Sequence, residues 1–154
     1  ALSDNGYADL AYTLLLQTTF PSWLFPVTLG ATTMWEHWDG LKADGSMWSK
    51  DMNSFNHYAY GAVADWVYTV AAGIQTVEEK PGYAAVRIAP QPDKRLDWLE
   101  ASVETRHGLV RSRWEKQRDM WRYEIETPVE AEIMIDGRKT FCRPGRYIFF
   151  SELA

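Results

Sequence analysis

The sequence predicts an α+β chain in two dissimilar parts, a charge-poor helical half followed by an antiparallel β-sandwich. Three observations carry this. First, residues 1–77 hold 2 Lys, no Arg, 6 Asp and 1 Glu, a net charge of −5, whereas residues 78–154 hold 14 basic and 14 acidic side chains. Second, the first half carries 13 of the 22 aromatic residues. So few charges cannot give every element a solvated face, so this half reads as the interior of something larger. Third, the apolar period changes from helical to alternating after the charged, turn-forming stretch VEEKPG at Val77–Gly82, which is the expected domain boundary.

In the first half, Asp4 to about Thr19 reads as a helix capped by Ser3 or Asp4 and ended before Pro21. Tyr7, Leu10, Ala11 and Leu14 mark one face. Tyr12, Leu15 and Leu16 cover much of the rest, so the helix is expected to be buried on most sides. A short helix is expected to start at Pro21, where a proline suits the first turn. Residues 30–55, with Gly30, Gly40 and Gly45, read as irregular apart from an extended piece over Thr32–Trp38. A third helix is expected from about Asn56 to Ala72, with Ser54 or Asn53 as cap and Gly73 near its end.

In the second half, Tyr83–Ile88 reads as a strand. Ala101, Val103 and Thr105 alternate with charged Glu104 and Arg106. His107-Gly108 then turns into Leu109–Lys116, and Trp121–Thr127 alternates apolar with charged positions. Glu132–Ile135, the hairpin signal Asp136-Gly137, the turn Pro144-Gly145 and the strand Tyr147–Phe150 complete six or seven short strands at sandwich spacing.

Length and composition exclude several classes. The chain has 154 residues, is 46% hydrophobic and contains no long apolar run, which argues against disorder and a transmembrane helix. Net charge −5 and pI near 5.2 argue against a nucleic-acid or anionic-membrane partner. One cysteine, Cys142, allows no internal disulfide and no cysteine-based zinc site. His37, His57 and His107 lack metal-ligand spacing, so no metal site is expected. The chain opens on Ala1 and a polar stretch, with no visible signal peptide and no initiating Met. That fits a fragment or a processed chain, and leaves the compartment, cytoplasmic or exported, open.

The chemistry-bearing candidates lie in two short segments. Glu36, the single glutamate of the first half, sits in GATTMWEHWDG (30–40) between Trp35 and His37, with Trp38 and Asp39 behind it. A carboxylate among indoles loses hydration, which raises its affinity for a proton and suits it to proton transfer. A helix cap or a buried carboxylate–histidine pair would explain the same residues. His57 lies in NSFNHYAYG (53–61) at an expected helix N-terminus, where neutral imidazole is favoured. A buried histidine satisfied by backbone groups fits equally well. Phosphate-cradling glycine loops and GxSxG are absent. Arg106, Arg111, Arg113, Arg118 and Arg122 alternate with glutamates and read as a solvated sheet face.

These segments also carry a resemblance. TFPSWLF, GATTMWEHWDG and NSFNHYAYGAVADWVY, then AAGIQ and PGYAAVRIAPQP, stand in the order found in the C-terminal part of bacterial α-L-rhamnosidases of glycoside hydrolase family 78. The match is close over residues 6–92 and looser through HGLVRSRWE and RPGRYIFF. The resemblance implies that residues 1–77 are the last helices of a catalytic (α/α)6 barrel and residues 78–154 the C-terminal β-sandwich. It implies an inverting hydrolase of terminal α-L-rhamnosyl residues that needs no cofactor. By motif position Glu36 resembles the general base and His57 a histidine bound to a rhamnose hydroxyl, with Trp35 and Trp38 as subsite walls. The family's acid-bearing segment has no counterpart here, so the isolated chain is expected to be inactive. Its partners are then a rhamnose-containing glycoside or polysaccharide and the N-terminal part of the same enzyme, and exposed apolar surface favours self-association. A competing reading makes the sandwich a carbohydrate-binding module using Trp98, Trp114 or Trp121 as platforms, attached to a helical-barrel glycosidase of other sugar specificity. Alternation favours the core for Trp114 and Trp121, and the sandwich then acts as a buttress.

Overall fold

The computed structural model describes residues 1–153. The chain divides between Ala64 and Asp65 into two compact units.

The first unit is helical and irregular. A 3-10 turn at Ser3–Asn5 ends at Gly6, whose φ of 82° is accessible to glycine and interrupts the expected continuous helix. Helix α1 therefore runs only over Ala8–Leu16, with no side-chain cap. Asp4, expected as a cap, pairs instead with the terminal amino group at 3.0 Å. Tyr12 is buried, but Tyr7, Leu10 and Leu14 are exposed. The expectation of a helix buried on most sides is not met within this chain, because nothing among the described residues covers the Tyr7, Leu10 and Leu14 face. Helix α2 spans Leu24–Thr28 rather than starting at Pro21, and Ser22 Oγ accepts the Phe25 N–H at 3.1 Å to cap it.

The third expected helix begins at Ala59 and is not one helix. A 3-10 turn (Ala59–Ala62), one α turn (α3, Val63–Trp66) and a π turn (Val67–Ala71) follow each other. Gly61 and the β-branched Val63, Val67, Thr69 and Val70 give this run weak α preference. Thr69 Oγ also donates back to Asp65 O at 2.7 Å. The π turn closes with Ala72 N–H on Val67 O at 2.8 Å.

The second unit is a sandwich of two four-stranded sheets. Its strands are β1 (Ile74–Thr76), β2 (Val86–Ile88), β3 (Trp98–Thr105), β4 (Gly108–Gln117), β5 (Met120–Thr127), β6 (Ala131–Ile135), β7 (Arg138–Cys142) and β8 (Gly145–Glu152). The sheet orders are β1-β2-β6-β7 and β3-β4-β5-β8. Every pair is antiparallel except β2 with β6. Strand β1, absent from the sequence expectation, starts before Val77 and pairs with β2. Asp136 and Gly137 both have positive φ between Ile135 and Arg138, as a two-residue hairpin turn requires.

The inward face is apolar: Val86, Ile88, Val110, Trp114, Ile125 and Ile133 are fully buried. Trp114 and Trp121 meet edge to face at 5.2 Å. Trp114 Nε1–H donates to Ala71 O at 2.8 Å and Ser112 Oγ to Ala72 O at 2.7 Å, satisfying the end of the π turn. Gly73 follows with φ 75°, and its carbonyl accepts the Ala89 N–H at 2.9 Å.

The outward face of the second sheet is an ion-pair ladder. Glu100 bridges Arg111 (2.8 Å) and Arg113 (3.2 Å), Arg113 reaches Glu115 (2.6 Å), and Arg122 joins Glu115 (3.3 Å) to Glu124. The Arg111 hydrogen bond, with help from Arg113, holds the Glu100 carboxyl down to about 2 from an ordinary 4.5. A carboxyl that is more acidic in the folded state stabilises the fold above its unfolded value, and this contribution is lost as pH falls towards 2. Glu100→Gln should therefore lower the thermal midpoint at neutral pH by a small amount, since the network is partly solvated. The gap from wild type should close between pH 4.5 and 2. A gap that is constant with pH would contradict this role.

Candidate active site

Residues 30–58 contain no helix and no strand, so single hydrogen bonds hold the site segments. Glu36 N–H donates to Ser54 O at 2.9 Å and His57 N–H to Met34 O at 2.7 Å. Thr33 Oγ donates to Phe55 O. Segment 33–36 therefore lies along segment 54–57, and the backbone brings Glu36 and His57, twenty-one positions apart in sequence, into one neighbourhood. The extended piece expected over Thr32–Trp38 is not a strand: these contacts do not repeat as a ladder.

Aromatic rings surround this crossing. Trp35 is buried and meets Phe55 edge on at 5.0 Å. Trp38 stacks on Tyr60 at 4.5 Å and meets Trp23 edge on at 5.3 Å. Trp23 Nε1–H is fixed by Tyr60 O at 3.0 Å, while Trp38 Nε1 is buried without a partner. His37 stacks on Trp48 at 3.9 Å. Of the expected subsite walls, Trp35 is thus packed inside this unit and Trp38 is half-buried. Sequence alone does not single out Trp23, Trp48, Phe55 and Tyr60, because only the folded loop brings them to the two motifs.

The polar groups are arranged for different tasks. Glu36 is half-buried; its main-chain N–H is held by Ser54 O, and its carboxylate forms no hydrogen bond or ion pair among the described residues. His57 Nδ1 accepts the Ala59 N–H at 3.3 Å. That bond requires an unprotonated Nδ1, so the ring proton sits on Nε2 and is available for donation. Among the described residues, no group of three or more His, Cys, Asp or Glu side chains could hold a metal ion. No helix there is long and apolar enough to cross a membrane.

In the sandwich, Trp114 and Trp121 are buried, whereas Trp98 is 59% exposed with Arg113 over its ring at 5.2 Å. Of these three aromatic platforms, only Trp98 has an accessible face.

Residues 1–71 match the bacterial α-L-rhamnosidase six-hairpin glycosidase domain, and residues 73–140 match the bacterial α-L-rhamnosidase C-terminal domain. The chain belongs to the bacterial α-L-rhamnosidase family. It is 46% identical over 116 residues to an α-L-rhamnosidase of Streptomyces avermitilis, covering 75% of this chain and 11% of that protein. It is 39% identical over 144 residues to one of Formosa agariphila, covering 90% and 15%. The crystal structure of the Streptomyces avermitilis enzyme complexed with L-rhamnose superposes with a TM-score of 0.88 at 35% identity, over 98% of this chain and 17% of that one. Native α-L-rhamnosidase from Aspergillus terreus superposes at 0.90 with 30% identity, over 97% and 18%. The chain thus spans about 11–15% of the length of these curated relatives.

Proposed function

We propose that this chain is the C-terminal part of an inverting α-L-rhamnosidase and supplies its general base, Glu36. The observation that carries the reading is the main-chain crossing of two motif segments, which brings the Glu36 and His57 positions into one neighbourhood, with His57 Nδ1 engaged by the Ala59 N–H. Glu36 takes a proton from a water as that water attacks the anomeric carbon of the rhamnosyl ring. A carboxylic acid elsewhere in the enzyme protonates the departing glycosidic oxygen. Inversion needs the two carboxyl groups about 6.5–9.5 Å apart, leaving room for the water. His57 donates from Nε2 to a sugar hydroxyl, and Trp38, backed by Tyr60, walls the subsite. In this reading, the helices that precede Ile74 belong to a six-hairpin barrel, and the strands from Ile74 onward are the C-terminal sandwich.

In this reading the acid carboxyl lies outside the part of the enzyme that this chain represents. Isolated residues 1–154 should therefore show no turnover of an aryl α-L-rhamnoside, while the full-length enzyme hydrolyses it in preference to other aryl glycosides. Turnover at comparable rates by the isolated chain would overturn the division of labour. A full-length enzyme active only on another sugar would overturn the substrate. Tyr7, Leu10, Leu14, Phe20 and Val27 are exposed on the helical unit, so the isolated chain should also self-associate in sedimentation.

The exposure of Trp98 supports a second reading for the sandwich alone, as a sugar-stacking surface. Quenching of Trp fluorescence by rhamnosides in a Trp98-containing but not a Trp98→Ala protein would favour it.

A further inference from the structure

We infer that Asn53 and Gly40 form a latch that positions Glu36, so that Asn53 is a positioning residue of the hydrolytic reaction. The inference rests on Glu36 being the general base. The segment bearing Glu36 has no regular secondary structure, so its placement depends on its two ends. One end is held by the main-chain bonds of Met34 and Glu36 to the 54–57 segment. The other is the tight turn His37–Gly40, closed by Gly40 N–H on His37 O at 3.0 Å. The Gly40 carbonyl accepts twice, from Trp48 N–H at 3.1 Å and from Asn53 Nδ2 at 2.8 Å. The Asn53 amide therefore ties the second end of the loop, through a side-chain bond, to the segment that carries His57.

Two details indicate that donation is what this position requires. Asn53 Oδ1 is buried without a hydrogen-bond partner, so the fold tolerates an unsatisfied acceptor to keep the donor in place. Reversing the amide would set that oxygen against the Gly40 carbonyl, which fixes its orientation. Gly40, itself buried, leaves no space for more: a Cβ there would lie 3.2 Å from Asn53 Oδ1, 3.2 Å from His37 O and 3.3 Å from Phe55 Cε1. Its φ is not in the left-handed region, so the glycine is needed for the close approach and not for its backbone conformation. An alanine would force the latch apart by a few tenths of an ångström.

The test compares Asn53→Asp, Asn53→Ala and Gly40→Ala in the full-length enzyme, each with Glu36 and with Glu36→Gln. Asn53→Asp keeps shape and volume but replaces the amide donor with a carboxyl oxygen set against the Gly40 carbonyl, and Gly40→Ala separates the loss of the latch from the effect of the added charge. All three variants should lower kcat on an aryl α-L-rhamnoside by about 10–100-fold, the scale of a slightly misplaced catalytic group, with a smaller change in KM. In the Glu36→Gln background the same substitutions should cost nothing further, because the group they position no longer acts. Should Asn53→Asp fail to fold, Gly40→Ala carries the test, since it retains both hydrogen-bonding groups. Wild-type kcat in folded Asn53→Asp or Gly40→Ala, or an undiminished loss in the Glu36→Gln background, overturns the latch. A Glu36→Gln enzyme with wild-type kcat overturns the base assignment, and the latch with it. A Glu36-dependent enzyme indifferent to Asn53 overturns the latch alone.

Discussion

Replacing Glu36 by Gln in the full-length enzyme is expected to lower kcat by about 10²–10⁴-fold, with KM little changed. The amide has nearly the shape of the carboxylate, and the main-chain bond from residue 36 to Ser54 O is unaffected by the change. What disappears is the ability to accept a proton from the attacking water. An interaction made mainly in the transition state lowers kcat and kcat/KM together, which distinguishes it from a lost sugar contact. His57→Ala should behave differently, raising KM more than it lowers kcat, if its Nε2–H donates to a sugar hydroxyl as proposed. Steady-state kinetics of the two variants side by side measure the distinction. Equal kcat for the wild-type and Glu36→Gln enzymes would place the base elsewhere.

Gly73→Ala should have the largest effect on stability. An alanine Cβ would stand 2.2 Å from Ala89 C and from Pro90 N, and 2.6 Å from Ala89 O. These are backbone atoms that no rotamer change can move. The φ of 75° adds left-handed strain for any residue with a Cβ. Relief requires separating Gly73 from Ala89, which breaks their 2.9 Å hydrogen bond. It also disturbs Ala72 and Ile74 in the core on either side. A loss on the order of 4 kcal/mol or more is expected, a large share of a typical stability of about 5–15 kcal/mol. Urea denaturation of the purified chain measures it, and a midpoint within error of wild type would contradict the close approach.

The parts of this molecule that are legible in its sequence are those where a local rule acts alone. Alternation along Leu109–Lys116 and Trp121–Thr127 places Trp114 and Trp121 inside, because a strand with one wet face leaves side chains no other choice. Asp136-Gly137 marks a hairpin because both positions need positive φ. Strand β1 is not legible: three residues at the end of a helical run carry no period, and pairing with β2 decides their state. The single helix expected over 56–72 divides into 3-10, α and π turns. Its apolar spacing is helical, but hydrogen-bond spacing is set by Gly61, the β-branched residues and the anchors on Ala71 and Ala72.

The candidate site is legible only as two motifs. Glu36 and His57 stand out by residue type and by resemblance, but not the bonds that bring them together. Asn53 reads as a helix cap from its sequence position, whereas its amide bonds a carbonyl thirteen residues upstream. Such a long-range side-chain bond leaves no periodic trace. Nor does spacing reveal that Tyr60 and Trp23 back Trp38, since the loop that gathers them has no regular structure.

The most direct test of Glu36 as a base is the configuration of the sugar as it is released. Proton NMR of the full-length enzyme acting on an aryl α-L-rhamnoside should show β-L-rhamnose first, followed by slow mutarotation. That order requires water, activated by a carboxylate on the far face, to attack the anomeric carbon directly. The α anomer appearing first would mean that a carboxylate bonds to that carbon before water does, and would contradict the account.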